Sequence, residues 1–469
     1  MRTASTSKNS VIFILPIIFL LLTFFILQEG IEKGAEIFLG FGILTIALLN
    51  YNVAVVIFFI LGMFFRNILN INLLNISVLD PFNVISLVLF YHFISKGILF
   101  RKSLFKRSYT IILLFCFLGN LIFCFRYWIH LDFVFGSQVN SYLLSFIIVP
   151  IQTIFILSQI FKNVKEEKEI EFFNKIIIYL SIFCFFYLLE IYFSFKVLPI
   201  GSESDTIWVN KLLGHKNSYG TFFVIMFFMF LHFFNFEKEN KKIHITALIS
   251  CLGIVAISLS RNAYLALICV SIFLVFKGIM ANQKAFFALF IGGIALTIIS
   301  GEAITERATS VINPIIGGNV EGLRDASSGH FSELAFDEIA YWLSENPLFG
   351  GFFDSQHYLE SGWTELIQKQ GLIGLMLYIL FLWNLHRYLY PRIFSINIKI
   401  KKYAVIGYTT LLCIYIMNIT DFLIYTYSNT PLYFLLTYVY LALRWYENQE
   451  MIIYKDSSVN GVGIQNDDS

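Results

Sequence analysis

Apolar runs separated by short polar stretches recur along almost the whole chain. They lie near residues 10–28, 34–50, 52–65, 80–100, 109–125, 141–161, 176–195, 218–236, 244–259, 263–276, 285–300, 371–390, 403–420 and 430–446. None shows the strict alternation of a barrel strand, and only helices or closed barrels satisfy the backbone in lipid. The pattern therefore predicts an all-α, polytopic transmembrane helical bundle of about 12–14 spans, although some of the runs are shorter than the roughly 20 residues that cross the hydrocarbon core.

One long polar interval, residues 301–370, interrupts this pattern. It divides the chain into residues 1–300 with transmembrane helices 1–11, an extracytoplasmic loop at 301–370, and the C-terminal transmembrane helices at 371–446. We expect residues 447–469 to form a disordered, polar cytoplasmic tail. Within the loop, apolar residues at helical spacing predict an amphipathic helix over residues 331–343 that ends at Pro347, so the loop is expected to contain short helices.

Composition and charge fix the class and the orientation. Hydrophobic residues make up 58% of the chain and charged residues only 14%, against about 25% charged in soluble domains, and the mean hydropathy is +0.74. No nucleic-acid partner is expected. With the N-terminus inside, most of the 33 Lys and Arg residues fall on the cytoplasmic side, as in most membrane proteins. We therefore expect a multi-pass protein of the inner (cytoplasmic) membrane with both termini cytoplasmic and residues 301–370 outside.

Four clusters of basic residues carry this orientation. They comprise Arg101, Lys102, Lys106 and Arg107; Lys162, Lys165, Lys168 and Lys175; Lys238, Lys241 and Lys242; and Arg387, Arg392, Lys399, Lys401 and Lys402. The apolar run at residues 11–27 is too long for an ordinary signal peptide and no small-residue cleavage site follows it, so we interpret it as an uncleaved first span.

The first candidate for chemistry is the stretch Gly214-His215-Lys216-Asn217-Ser218-Tyr219-Gly220, at the outer mouth of the eighth span. Polar and basic groups at a helix N-terminus favour an anion, because the free N–H groups and the helix dipole both attract negative charge. The alternative is a capped helix start with Asn217 or Ser218 as the N-cap.

The second candidate is Ser258-Leu259-Ser260-Arg261-Asn262-Ala263, where two apolar runs meet at the outer side. An arginine between two spans is costly unless it is paired, and such residues are usually functional. Its planar fork also suits bidentate recognition of phosphate. The alternative is a snorkelling arginine in a tight interfacial turn.

The third candidate begins with Asn346-Pro347-Leu348-Phe349-Gly350-Gly351 and ends with Gly371-Leu372-Ile373-Gly374, with charged residues between. If this stretch is helical, His357 and Glu360 share one face, and a His–carboxylate pair suits general-base work on a hydroxyl. Asp354 is a weak further candidate for a metal ligand. The alternative, favoured by spacing alone, is a solvated loop with ordinary surface charges.

All six cysteines fall in apolar runs, so no cysteine-ligated metal site is indicated.

Taken in order, these motifs resemble the bacterial O-antigen polymerase and O-antigen ligase family of membrane glycosyltransferases. The resemblance covers about residues 213–382. It rests on the "HKN" turn before a span, a Ser-Arg-x-Ala turn between spans, and a long external loop with "NPLFG" followed by "GLIGLMLYIL" at the return to the membrane.

The resemblance implies an activity and a set of substrates. It implies transfer of a glycan from undecaprenyl diphosphate to a sugar hydroxyl of a glycan acceptor, outside the cytoplasm, with no cofactor and no metal. Arg261 would face the donor diphosphate, and Arg324 would supply another basic group in the loop. His330 stands where the family often has an arginine. Membrane lipids surround the protein, and a chain-length regulator is a further expected partner.

Two choices stay open. The catalytic base is either His357 or Glu360, because this chain has Glu360-Ser361 where the family often has His-Asn. That replacement favours a polymerase that joins undecaprenyl-diphosphate-linked repeat units into O-antigen, capsular or exopolysaccharide over a ligase that transfers the glycan to lipid A-core. A transporter or flippase is the more distant alternative, disfavoured by the long exported segment and by the scarcity of ionisable groups in mid-span.

Overall fold

The computed structural model describes residues 42–65, 81–100, 149–195, 216–237, 239–258, 260–279, 362–418 and 430–461, with positions 313, 317, 340, 344 and 347–350 between them. Every regular element in these residues is helical, which confirms the all-α class for this part of the chain. The predicted spans near residues 10–28, 109–125 and 285–300 and the predicted helix at residues 331–343 lie wholly or mostly outside it.

The helices are labelled in chain order. They are α1 (Tyr51–Ile60), α2 (Pro81–Ser95), α3 (Val149–Asn163), α4 (Glu167–Phe195), α5 (Lys216–Phe236), α6 (Lys241–Ser258), α7 (Arg261–Phe276), α8 (Gly362–Leu389), α9 (Ile398–Met417) and α10 (Thr430–Gly461). Residues 42–49 are also helical. A π-helical turn (Leu61–Phe65) continues α1, and 3-10 turns follow α2 (Ile98–Phe100) and α8 (Tyr390–Phe394).

Among the described residues, 5 helical stretches are long and apolar enough to cross a membrane. They are Glu167–Glu190, Tyr219–Phe236, Lys241–Ser258, Gln370–Phe394 and Ile398–Met417. Three shorter apolar helices match further predicted spans: Tyr51–Met63, Phe82–Ser95 and Asn262–Phe276. These helices agree with a multi-pass membrane protein.

Helices α5 and α9 form the centre of the described bundle. The apolar windows of α5 and α9 are 83% and 78% buried within the protein, whereas that of α8 is only 33% buried. Helix α9 packs against α5, α7, α8 and α10, and α5 forms a hairpin with α6. Because lipid is as apolar as a leucine side chain, the exposed side of α8 is well suited to face the bilayer.

Three helices run antiparallel to α9, as cross-helix contacts show. His232 Nε2 of α5 lies 3.0 Å from Thr409 Oγ1, and the rings of Phe273 in α7 and Tyr408 lie 6.5 Å apart. Asn418, just after α9, donates through Nδ2 to the hydroxyl of Tyr378 in α8 at 2.8 Å. The starts of α5 and α7 therefore lie where α9 ends. We call this the Arg261 end and the opposite side the Lys402 end.

Ion pairs tie the helices together at the Lys402 end. Lys402 Nζ lies 2.9 Å from Glu237 Oε1, and Lys399 pairs with Glu167. His244 Nε2 is 3.1 Å from Glu237 Oε2, at ion-pair distance but without hydrogen-bond alignment. The second, third and fourth basic clusters predicted to be cytoplasmic thus meet at one end of the bundle, while the first, residues 101–107, lies outside the described residues.

Helix α10 differs from the sequence expectation, because it continues past residue 446 to Gly461. The reason is tertiary contact. Glu447 binds Arg392 and lies 2.6 Å from Arg444 Nη1, and the hydroxyl of Tyr446 donates to Glu167 Oε1 at 3.2 Å. These contacts hold the first turn beyond the predicted span, whereas residues 462–469 lie outside the described part.

Candidate functional site

The starts of α5 and α7 pack directly against each other through Gly220. A β-carbon added at Gly220 would lie 2.5 Å from Ser258 Oγ and 2.9 Å from Ser260 Cβ, distances that real β-carbons do not show. Only glycine lets α5 approach the turn before α7 this closely. The structure therefore brings the last residue of the first sequence candidate, Gly220, against Ser258 and Ser260 of the second candidate.

Two serines fix the turn that carries Arg261. The hydroxyl of Ser258 donates to the carbonyl of Val255 at 2.7 Å and accepts from the N–H of Ser260 at 3.2 Å. Ser260 is the N-cap of α7, with its hydroxyl accepting from the N–H of Ala263 at 3.4 Å. Arg261 is consequently the first residue of a capped helix, at the end where its dipole is positive.

Tyr219 lies beside this junction, in the first turn of α5 as the structure has it. The residue is only 2% exposed, and its hydroxyl is buried with no hydrogen-bond partner in the part of the chain that the structure describes. Tyr264, one turn into α7, is close enough to interact with it electrostatically. The hydroxyl of Tyr264 itself is engaged, since it donates to the carbonyl of Ala256 at 3.1 Å.

The third sequence candidate forms a tight elbow around Gly371. This residue has φ 64° and ψ −163° inside α8, a conformation that favours glycine. A β-carbon there would lie 2.4 Å from the N of Gly350 and 2.5 Å from the carbonyl of Leu348. The N–H groups of Leu372 and Ile373 donate to the carbonyls of Pro347 and Leu348, at 2.9 and 3.2 Å. The "NPLFG" and "GLIG" motifs are thus one packed unit.

At the elbow, α8 folds back on itself. The rings of Trp363 and Tyr378 lie 5.5 Å apart, although a continuous helix would separate these residues by about 22 Å along its axis. The segment before Gly371 therefore runs back alongside the segment after it. Trp363 is brought to the level of Asn418 at the end of α9, so the chain just after residue 360 returns toward the bundle.

The three candidate groups lie at similar distances, measured along the helix axes, from the turn of α9 that contains Tyr408 and Thr409. The contacts at this turn join His232 to Thr409, Phe273 to Tyr408 and His386 to Tyr408. At the helical rise per residue, the distance along the axis is about 18 Å from Phe273 to Arg261. It is about 24 Å from His232 to Lys216 and about 22 Å from His386 to Gly371. All three belong to the Arg261 end.

The described residues include three of the predicted site residues. Arg261 is the first residue of α7, and Lys216 and Asn217 are the first two residues of α5. Because α5 begins at Lys216, Asn217 and Ser218 lie inside its first turn, and the expectation that one of them is the N-cap is not met. The other predicted site residues lie outside the described part: His215, Arg324, His330, His357 and Glu360.

Sequence reasoning included Tyr219, Ser258 and Ser260 in its candidate motifs but gave these three residues no role of their own. The two serines flank Arg261 in the sequence, and their spacing carries a capping signal that could have been found. No sequence signal marks Tyr219, because a tyrosine near the end of a span is ordinary in membrane proteins. Its unpartnered hydroxyl is a property of the packed structure alone.

Comparison with protein-family models and with curated proteins finds no match to this chain.

Proposed function

We propose that this protein is a membrane glycosyltransferase that joins undecaprenyl-diphosphate-linked oligosaccharide repeat units into O-antigen, capsular or exopolysaccharide at the outer face of the cytoplasmic membrane. The observation that supports this most is the packing of the α5 start against the Arg261 turn through Gly220. Two motifs that are separate in the sequence thereby form one positive helix-end junction.

The junction suits a diphosphate leaving group. Two helix N-termini direct free N–H groups and the positive ends of their dipoles toward the Arg261 end, and Arg261 and Lys216 stand at the two helix starts. As the glycosidic bond to the diphosphate breaks, negative charge grows on the diphosphate oxygen. Fixed positive groups in a low-dielectric site near the membrane surface stabilise that charge more than water does.

The elbow at Gly371 suits the acceptor side of the reaction. The acceptor hydroxyl attacks the anomeric carbon, the carbon–oxygen bond to the diphosphate breaks, and the diphosphate keeps the bonding electrons. The hydroxyl proton passes to a base, His357 or Glu360. Glu360 lies two residues before Gly362, where the segment that folds back beside Tyr378 begins. A single displacement of this kind inverts the anomeric carbon and needs one base.

The other proposed roles complete this scheme. Arg324, His330, His215 and Asn217 line the donor side as further groups for the diphosphate and its first sugar, and no metal or cofactor takes part. The partners are the lipid-linked glycan donor, the glycan acceptor, the surrounding lipids and a chain-length regulator.

Arg261→Lys tests the proposal, because lysine keeps the charge but loses the planar fork. In a deletion strain complemented at matched protein levels, we expect Arg261→Ala and Arg261→Lys each to lower polymer formation about 100-fold or more. Lys277→Ala, at the opposite end of the same helix, is the control and should leave polymer unchanged. Normal polymer in the lysine variant would refute the role of Arg261.

The banding pattern of surface polysaccharide in the deletion strain distinguishes the two related activities. Loss of a polymerase leaves single repeat units on the lipid A-core, whereas loss of a ligase leaves the core without any. A strain that retains full-length polymer would contradict both.

A further inference from the structure

The hydroxyl of Tyr219 stands out among the described residues near the Arg261 end. It is buried and has no hydrogen-bond partner, and the residue is 2% exposed. Buried polar groups in native structures are almost always paired, and an unpaired one destabilises the fold. An unpartnered donor retained at such a place indicates a ligand as its hydrogen-bond partner.

The position of Tyr219 indicates where its hydroxyl is directed. Helical side chains slant toward the helix N-terminus, and Tyr219 lies in the first turn of α5. Its phenol therefore projects toward the free N–H groups at the start of that helix. The next residue, Gly220, packs against Ser258 and Ser260 at the start of α7, and Tyr264, one turn beyond Arg261, interacts electrostatically with Tyr219. Tyr219 therefore belongs to the junction of the two helix starts.

The chemistry of these surroundings favours an anion rather than a neutral group. Two positive helix ends and the backbone N–H groups of two first turns meet at this junction, a basic residue is the first residue of each helix, and a phenol can donate one more hydrogen bond. Phosphate oxygens accept several hydrogen bonds at once and match this set of donors. An apolar ligand would leave the hydroxyl unpaired, and a cationic ligand would be repelled by the positive helix ends.

We propose that the Tyr219 hydroxyl donates a hydrogen bond to the diphosphate of the lipid-linked donor and is a further binding residue for it. This inference rests on the proposed function, and it adds a neutral donor on α5 to the arginine on α7. The hydroxyl becomes paired only when the diphosphate is present, so binding removes a destabilising feature of the empty protein.

Tyr219→Phe tests this directly because it removes only the hydroxyl. In purified protein in nanodiscs, we expect the variant to bind undecaprenyl diphosphate about tenfold more weakly, as the loss of one hydrogen bond to a charged group predicts. Without ligand, its melting temperature should equal or exceed that of the wild type. Lower stability without ligand would show that the hydroxyl has a structural partner and would overturn the proposal.

Ser271→Ala is the matched control. Ser271 is also buried on α7 with an unpartnered hydroxyl, but it lies ten residues beyond Arg261 along the helix. Removing its hydroxyl should affect stability in the same direction and leave binding of undecaprenyl diphosphate unchanged. If Ser271→Ala weakens binding as much as Tyr219→Phe, the effect is not specific to the junction and the proposal fails.

Three ligands separate the possible sources of the phosphate. We expect undecaprenyl diphosphate and, more weakly, inorganic pyrophosphate to bind, with both weakened in Tyr219→Phe. Phosphatidylglycerol binding that depends equally on Tyr219 would identify a lipid headgroup site and overturn the assignment. If the wild type binds undecaprenyl diphosphate and Arg261→Lys weakens it while Tyr219→Phe does not, this inference alone falls. If the wild type does not bind it at all, the proposed function falls as well.

Discussion

Single residues at the Lys402 end show how charge is accommodated beside a membrane. Glu237 follows α5, and Lys402 lies one turn into α9; their side chains are 29% and 10% exposed. Burial raises the pKa of the Glu237 carboxyl, but His244 and Lys402 act against burial and the net result is a pKa below the ordinary value. The charged form is therefore favoured in the folded protein.

A lowered carboxyl pKa predicts stability that depends on pH. The contribution of Glu237 to the free energy of unfolding is fully present above its pKa in the unfolded state, about 4.3. This contribution is lost as the pH falls through the lower pKa of the folded state. In detergent, we expect the melting temperature to decrease as the pH is lowered below about 4.3. Glu237→Gln should lose about 2 kcal/mol at neutral pH and show a weaker dependence on pH in that window.

Glu166→Gln is the control for this measurement. Glu166 pairs with Lys168 at 2.7 Å, but its side chain is 61% exposed, and exposed pairs contribute little. Some pH dependence should remain in Glu237→Gln, because contacts with Arg392, Arg444 and Tyr388 outweigh burial and also lower the pKa of Glu447. An unchanged pH profile in Glu237→Gln would show that its pair with Lys402 does not stabilise the fold.

At the scale of elements, the elbow in α8 joins residues 347–350 of the polar interval to the helix that follows it. The backbone of residues 347–350 binds the start of the returning helix, and the segment from Gly362 folds back onto Tyr378. A helix with an ordinary residue at position 371 could not make this turn. The "GLIG" motif thus encodes a bend, which apolar periodicity alone does not reveal.

Gly371→Ala should disrupt this elbow. Alanine at φ 64° is strained, and its β-carbon would meet backbone atoms of Leu348 and Gly350 that cannot move aside. We expect a loss of about 1–3 kcal/mol together with loss of polymer formation, measured by thermal melting and complementation. Gly42→Ala is the control: nothing lies within 4 Å of its β-carbon position, so stability should not fall. Full activity in Gly371→Ala would separate the elbow from function.

At the scale of the whole molecule, three predicted cytoplasmic clusters of basic residues meet at the Lys402 end. Lys399 binds Glu167 beside the second cluster, and Lys402 binds Glu237 beside the third. The candidate site lies at the opposite end of the same helices. This separation fits a protein that anchors its charge on one side of a membrane and performs chemistry on the other.

The proposed orientation can be tested with single cysteines. A cysteine at Ser328, in the polar interval, should react with an impermeant maleimide in intact cells, or in spheroplasts if an outer membrane is present. A cysteine at Ile396, which is 100% exposed in the turn between α8 and α9, should react only after lysis. The reverse pattern would invert the topology and place the Arg261 end in the cytoplasm.

The sequence by itself determined the class of protein, many of its spans and the motifs that suggest a function. Apolar length and basic clusters are local properties, and the bilayer accepts few alternatives. Thus the predicted spans at residues 176–195, 218–236, 244–259, 371–390 and 403–420 each overlap a stretch long and apolar enough to cross a membrane. The first turn of α10 beyond residue 446 was not predictable, because Glu447 there pairs with Arg392, which is distant in the sequence.

Only the tertiary structure decided which motifs meet. Lipid is equally compatible with every apolar run, so hydropathy cannot distinguish the buried α5 and α9 from the more exposed α8. The approach of Gly220 to Ser258 and the unpartnered hydroxyl of Tyr219 depend on helix packing between residues far apart in the chain. The physical reason is that burial in a membrane is set locally by composition, whereas a binding site is set by which helix ends the packing brings together.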